Sequence, residues 1–198
     1  NVSARFGHPF SKLFEEEREL TVMLLVDISR STLFGTTHAR KRDIVTEIGA
    51  VLSFAAVNNG DKIGVIFYSD IVEKYIPPKK GKQHALYIVR ELLTMEPKGK
   101  GTAMQPALRY FNNSTRQKSI AFVLSDLVDA GYGDALRIAS RKHDIIGIKL
   151  YDQMDQVLPN AGLLQVQDAE SGKTQWVDSG NAFVRHQYEQ EFFRVTEY

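Results

Sequence analysis

The sequence predicts an α/β fold: a doubly wound, mostly parallel sheet with helices on both faces, one antiparallel edge strand, and a C-terminal hairpin and helix. Three observations carry that prediction. Short apolar runs alternate with longer segments whose apolar residues recur every three or four positions. The first run, Leu20 to Val26, is apolar throughout, as a central strand covered on both faces must be. Two later strands are separated by so tight a link that they must be antiparallel neighbours.

Taken in order, the strand Leu20–Val26 stops at Asp27 and is followed by a helix from about Arg40 to Asn58. Ile44, Ile48, Val51, Leu52 and Ala55 form its expected inward stripe, and Asn59-Gly60 its C-cap. Strands are expected at Lys62–Tyr68 and Ile71–Ile76, paired as an edge hairpin that ends before Pro77-Pro78. A helix near Gln83 to Met95 would turn Leu86, Val89, Leu92 and Leu93 inward. The Gly-rich stretch from Pro97 to Thr102 then opens a helix with Met104, Ala107, Leu108 and Phe111 on its core face. Ile120–Leu124, Asp134–His143 and Ile145–Tyr151 complete the alternation as strand, helix and strand. Beyond Asp152, Leu163–Gln167 and Thr174–Val177 flank a Glu170-Ser171-Gly172 turn, and Val184, Tyr188, Phe192 and Val195 recur at helical spacing. Three segments follow from this: an N-terminal arm over 1–19, the main domain over 20–152, and an extension packed on it over 153–198. Trp176, Tyr188, Phe192 and Phe193 are expected to pack that extension against the sheet.

Composition narrows function. The 198 residues suffice for one large domain. With 25 Lys and Arg against 24 Asp and Glu there is no global positive field, so nucleic acid is not the expected partner. The absence of cysteine removes disulfides and thiolate metal sites and leaves oxygen and imidazole as ligands. No apolar run approaches the roughly 20 residues that span a bilayer. The chain begins at Asn1 without a start Met or a signal-peptide pattern, so the expected setting is a cytoplasmic segment of something longer, with any membrane association supplied upstream.

In an open doubly wound sheet, ligands bind beyond the carboxyl ends of the strands where the winding reverses. Two such ends are chemically loaded: the first strand runs into Asp27-Ile28-Ser29-Arg30-Ser31, and the fourth into Leu124-Ser125-Asp126. Gly99-Lys100-Gly101-Thr102 lies between them in sequence, and the three loops meet if strands one and four are adjacent. They offer two carboxylates and three hydroxyls, all hard donors that select hard cations: Mg²⁺ first, with Mn²⁺ or Ca²⁺ able to substitute. Neutral hydroxyls leave a bound cation with residual charge and an open position that an Asp or Glu carboxylate of a partner protein could fill.

Asp27, Ser29 and Ser31 after a buried strand, a distant Gly101-Thr102 and a later Ser125-Asp126 resemble the metal-ion-dependent adhesion site of von Willebrand factor A domains. The resemblance implies that Ser29, Ser31 and Thr102 are direct ligands and that Asp27 and Asp126 bind directly or through water. DISRSTLFGT, FYSDIVEKYIPPKKGKQHAL, GKGTAMQPAL, VLSDLVDAG and LPNAGLLQVQDAESGKTQWVD further resemble the bacterial group called domain of unknown function 58. Asp168, Glu170 and Gly172 match that group's DxExG-like turn. Membership would imply work as an adaptor or chaperone component beside a MoxR-type AAA+ ATPase, without catalysis.

Other readings of the same residues are weaker. DxSxS alone could be an N-cap cluster. The Gly99 to Thr102 run lacks the strand and the spacing of a phosphate loop. A metal-assisted phosphoesterase or nucleotide-binding enzyme on the same loops would need a base besides Asp27 and Asp126. A degenerate, purely structural site is the remaining alternative. Histidines 8, 38, 84, 143 and 186 show no ligand spacing, and Arg40-Lys41-Arg42 reads as a solvated helix start.

Overall fold

The computed structural model describes residues 19–29, 41–129, 131–168 and 172–196. Arg30, Ser31, Glu170 and the arm before residue 19 lie outside them. Five strands form one sheet in the order β3-β2-β1-β4-β5: β1 Thr21–Asp27, β2 Lys62–Tyr68, β3 Val72–Lys79, β4 Ile120–Ser125 and β5 Asp144–Lys149. β1 pairs in parallel with β2 and β4, β4 in parallel with β5, and β2 antiparallel with the edge strand β3. The winding therefore reverses between β1 and β4, and the carboxyl ends of both open on one rim.

Alternation along the strands divides the core in two. Leu24, Val26, Ile63, Val65 and Phe67 face one side, where they meet α1 (Lys41–Asn58) and α2 (Lys82–Thr94) through Val45, Ala56, Ile88 and Leu92. Met23, Leu25, Ile66, Ala121 and Val123 face the other, where α3 (Met104–Ser114) and α4 (Gly133–Ser140) bring Ala107, Leu108, Phe111 and Ala135. Burying side chains of this size stabilises the fold by about 1.5–3 kcal/mol each, before chain entropy is set against it.

The stripe of α3 is the one its sequence predicts, since Met104, Ala107, Leu108 and Phe111 are all buried. The stripes of α1 and α2 are rotated by about one residue. α1 buries Val45, Gly49, Ser53 and Ala56, leaving Ile44 and Val51 exposed, and α2 buries Ala85, Ile88 and Leu92, leaving Leu86 and Leu93 exposed. The two helices pack so closely that a Cβ on Gly49 would lie 2.8 Å from Leu92 Cδ1, so small residues occupy the seam and larger ones are displaced from it. Ser53 is accommodated there by donating to Gly49 O at 2.7 Å. α1 ends as its sequence predicts, with Gly60 at a φ of 76° and Asp61 N returning to Ala56 O at 2.9 Å.

β3 continues through Pro77-Pro78, where the sequence places its end. An edge strand tolerates proline, and the ladder to β2 shifts register there, between Ile63 and Val65.

Beyond β5, α5 (Gln153–Gln156) is capped by a reciprocal Asp152–Asp155 box, a turn of helix the periodicity does not reveal. The hairpin β6 (Leu163–Gln167) and β7 (Thr174–Asp178) and the helix α6 (Ala182–Thr196) follow. Tyr188 Oη donates to Met154 O at 2.9 Å, and Phe192 lies 5.5 Å from the Tyr151 ring and 4.9 Å from Lys149 Nζ. Trp176 does not pack on the sheet: it pairs with Gln165 on the outer face of the hairpin and is 64% exposed, because the alternation turns Leu164, Val166 and Val177 the other way. Among the described residues no helix is long and apolar enough to cross a membrane.

Candidate functional site

β1 delivers Asp27 to the rim as its last residue, and Ile28 N extends the ladder by donating to Tyr68 O at 2.9 Å. Asp27 is 1% exposed. Its Oδ1 accepts from Ser29 N at 2.9 Å and its Oδ2 from Ser125 Oγ at 2.8 Å, so the ends of β1 and β4 are joined through a single carboxylate. Burial pushes the Asp27 carboxyl up to about 6, against the Ser29 and Ser125 hydrogen bonds that favour its charge, and the neighbouring Asp126 adds repulsion. Among the described residues, the charge of Asp27 is thus met by hydrogen bonds rather than by an ion pair, while the Lys149 ammonium acts on Asp126.

Asp126 follows β4 directly and accepts from Val128 N at 3.3 Å. Between them Leu127 adopts a φ of 56°, a left-handed conformation that costs a side-chain-bearing residue of order 1 kcal/mol, and its N–H donates to Ser125 Oγ at 3.2 Å. Strain of this kind persists where the surroundings dictate it, here to turn the chain sharply at the end of the strand.

The loop carrying Thr102 is fastened on two sides. Ala103 N donates to Ser69 O at 2.9 Å, just beyond β2, and Met104 N donates to Asp129 Oδ2 at 2.8 Å, just beyond β4. Asp129 therefore caps α3 from another element, an anion at the positive end of the helix. Glu73 holds the remainder: its Oε1 accepts from Ser69 Oγ at 2.7 Å and from the N–H groups of Lys98 and Gly99 at 2.8 Å each. Burial raises the Glu73 carboxyl, but the hydrogen bonds from Gly99, Ser69 and Lys98 outweigh it and hold the group below its ordinary value. Gly99 is obligatory, because a Cβ there would stand 1.9 Å from Asp70 Oδ1 and 2.1 Å from Ser69 Oγ.

One hydroxyl in this region is an orphan: among the described residues Thr102 Oγ1 is buried and makes no hydrogen bond, whereas the buried Tyr68 Oη lies within reach of the Ser125 side chain. Burial drives the Tyr68 hydroxyl well above its ordinary value, with the charge of Asp27 adding to the effect. Leaving a buried hydroxyl unpaired costs about 1–3 kcal/mol, so the Thr102 hydroxyl is a debt that a ligand would settle.

The fold thus brings Asp27, Ser29, Asp126 and the Thr102 loop to adjoining strand ends, while Ser31 and Arg30 fall outside the described residues. Among the described residues no three His, Asp or Glu side chains converge. A cation here would rest on two carboxylates and neutral hydroxyls, a hard oxygen set suited to Mg²⁺ and its retained waters. The sequence reading misses Ser125, Tyr68, Glu73 and Asp129. Ser125 and Tyr68 carry a legible signal, polar groups at the carboxyl ends of strands flanking β1. Glu73 and Asp129 carry none, since their role depends on loops meeting in space.

The family described as "Protein of unknown function DUF58" matches residues 1–197. Uncharacterized proteins of Mycobacterium tuberculosis and Mycobacterium bovis are 30% identical over 174 residues, 86% of this chain and 55% of theirs, so the chain spans about half the length of these relatives. An aerotolerance-related membrane protein from Bacteroides fragilis shares the fold with a TM-score of 0.62 at 17% identity, over 89% of this chain and 87% of that one. Proximal thread matrix protein 1 from the mussel byssus, solved with zinc in its MIDAS motif, aligns with a TM-score of 0.52 at 18% identity, over 66% of this chain and 38% of that one. The architecture is von Willebrand factor A-like.

Proposed function

This chain belongs to the DUF58 family, and from that premise we propose that its rim is a divalent-cation site through which it binds a partner protein, without catalysis. The observation that carries the proposal is a buried Asp27 carboxylate whose ionisation burial opposes, on the same rim as a Thr102 hydroxyl that has no partner among the described residues. Asp27, Ser29, Thr102 and Asp126, together with Ser31, are the proposed ligands, and Mg²⁺ the proposed ion. When bound, it would offer a Lewis-acidic position to an anionic oxygen from outside. Asp27 fixes the ends of β1 and β4 relative to each other through Ser29 and Ser125. Glu73 and Gly99 hold the loop so that Thr102 keeps its place whether or not a ligand is present. Asp27 and Asp126 would both be committed to the cation, and the other carboxylates of these loops, Glu73 and Asp129, are taken up by backbone N–H groups, which argues against a general base for hydrolysis.

The partner would complete the site with an Asp or Glu side chain. The resemblance to the family supplies its class, a MoxR-type AAA+ ATPase, for which this chain would act as an adaptor in the cytoplasm. Within that role, residues 20–152 would form the binding domain, 153–198 an extension braced against it by Phe192 on Tyr151 and Lys149, and 1–19 an arm leading to other parts of a longer protein.

Calorimetric titration of Mg²⁺ and Mn²⁺ tests the proposal. The wild-type chain should give a saturable heat that Asp27→Ala abolishes; equal heats from both would remove the cation from the account. Retention of a MoxR-type ATPase by the immobilised chain should be lost on adding a chelator.

A further inference from the structure

At the opposite end of the sheet, where the parallel strands begin, a cleft of about 400 Å³ opens between the start of β1, the start of β2 and the loop after α3. Its volume is that of a small-molecule site. Thr21, Lys62, Thr115, Arg116, Gln117 and Ser119 line it, and among the described residues no acidic side chain does. Among the described residues, the side chains of Thr21, Thr115, Arg116 and Gln117 make no hydrogen bond or ion pair. Thr115 is the most telling of these, because it is 6% exposed and its Oγ1 is buried without a partner. A surface loop that merely faced water would not leave a buried hydroxyl unsatisfied.

Lys62 lines the cleft with its ammonium ion-paired to Glu19, which Lys80 also holds. The carbonyl end of α3, which would otherwise repel an anion, is occupied from behind: Lys142 Nζ donates to Thr115 O at 2.6 Å and to Asn112 O at 3.3 Å. The donors on offer are the Arg116 guanidinium fork, the hydroxyls of Thr21 and Thr115 and the Gln117 amide. They outnumber the two oxygens of a carboxylate and suit the three terminal oxygens of a phosphomonoester.

We infer that this cleft binds a phosphomonoester, with Arg116 clamping the phosphoryl oxygens and Thr115 donating its hydroxyl to them. The same chemistry is presented by a free organic phosphate and by a phosphomonoester lipid headgroup. The inference stands apart from the rim and does not depend on the cation site.

Glycerol 3-phosphate is the probe, titrated into the isotopically labelled chain with amide shifts followed by nuclear magnetic resonance. Saturable shifts should concentrate on residues 114–119 and at the starts of β1 and β2, and Arg116→Ala should weaken the affinity by ~tenfold or more. Thr115→Val, which keeps the shape and removes the orphan hydroxyl, should weaken binding severalfold without lowering the melting temperature. Arg90→Ala, a charge removed from the exposed face of α2, should change nothing. Failure to saturate at about 20 mM, where even weak small-ligand affinity is measurable, would overturn the inference. So would shifts reproduced by sodium chloride at equal ionic strength, or an Arg116→Ala chain that binds as the wild type does. Phosphatidylcholine vesicles with and without phosphatidic acid separate the two sources. Arg116-dependent binding to the acidic vesicles assigns a lipid headgroup, binding of the soluble probe alone assigns a free organic phosphate, and vesicle binding unaffected by Arg116→Ala counts against the site.

Discussion

The two ends of the sheet are built from the same strands yet carry opposite chemistry. At the carboxyl ends, Asp27 and Asp126 share a rim with the Thr102 hydroxyl, and at the amino ends Lys62 and Arg116 line a cleft with the Thr115 hydroxyl, both hydroxyls being buried without a partner among the described residues. A net charge of +1 conceals this, because parallel strands sort the residues preceding them to one end and those following them to the other. The lesson is that charge balance over a chain excludes a global field but says nothing of local ones. The ends differ again in how they are held: a carboxylate, Glu73, gathers Ser69, Lys98 and Gly99 in the rim loop, whereas the cleft loop is held by the Lys142 ammonium at Thr115 O, the Lys118–Asp144 ion pair and Asp144 N donating to Ser119 O.

Asp27→Asn should break the contrast most strongly. Asp27 has its pKa raised from 3.8 to about 6, so its ionisation opposes folding. Stability from this group is full below about 4, falls as the pH rises toward 6, and stays low above that. At pH 7 without metal the variant should therefore be more stable than the wild type by about 3 kcal/mol, from roughly two pKa units at 1.36 kcal/mol each. Near pH 4 the difference should vanish. Saturating Mg²⁺ should close it at pH 7 as well, since a cation restores the value of the charge. Denaturant unfolding at the two pH values checks this, and a wild type at least as stable as the variant at pH 7 without metal would deny that burial opposes the ionisation of Asp27.

Gly99→Ala is the next largest effect. With a Cβ forced to within 1.9 Å of Asp70 Oδ1, the loop must shift, at an expected cost of about 2 kcal/mol. Because Gly99 N and Lys98 N share the Glu73 carboxylate, the shift should also reach Thr102 and weaken Mg²⁺ binding. Thermal unfolding and calorimetry on one preparation report both, and a loss of stability with unchanged cation affinity would detach the loop from the site.

Thr102→Val should be the smallest, and it sharpens the comparison. Removing a buried hydroxyl without a partner should leave the metal-free chain as stable as before or more stable by about 1 kcal/mol, while Mg²⁺ affinity falls. A loss of stability without metal would show that the hydroxyl has a structural role.

Much of this architecture was legible in the sequence, for reasons that particular residues show. β2 runs from Lys62 to Tyr68 as its apolar run does, and β1 ends at Asp27 because a charged residue stops an all-apolar central strand. The inward face of α3 was legible because large apolar residues define it. The faces of α1 and α2 were not, because their shared seam is made of Gly49, Ser53, Ala56 and Ala85, and periodicity weights size while close helix packing requires its absence. Asp27, Ser29 and Asp126 were readable as strand-end residues. Their fastening through Ser125, Glu73 and Asp129 was not, since those contacts join segments up to 98 positions apart.

A crystal of the chain soaked with Mn²⁺ tests the cation site most directly, because anomalous scattering locates the ion without reference to any sequence motif. One peak per chain should appear between the carboxylates of Asp27 and Asp126 and the hydroxyls of Ser29 and Thr102, at oxygen distances of about 2.0–2.3 Å. A rim that stays free of anomalous signal while Mn²⁺ binds elsewhere would contradict the account.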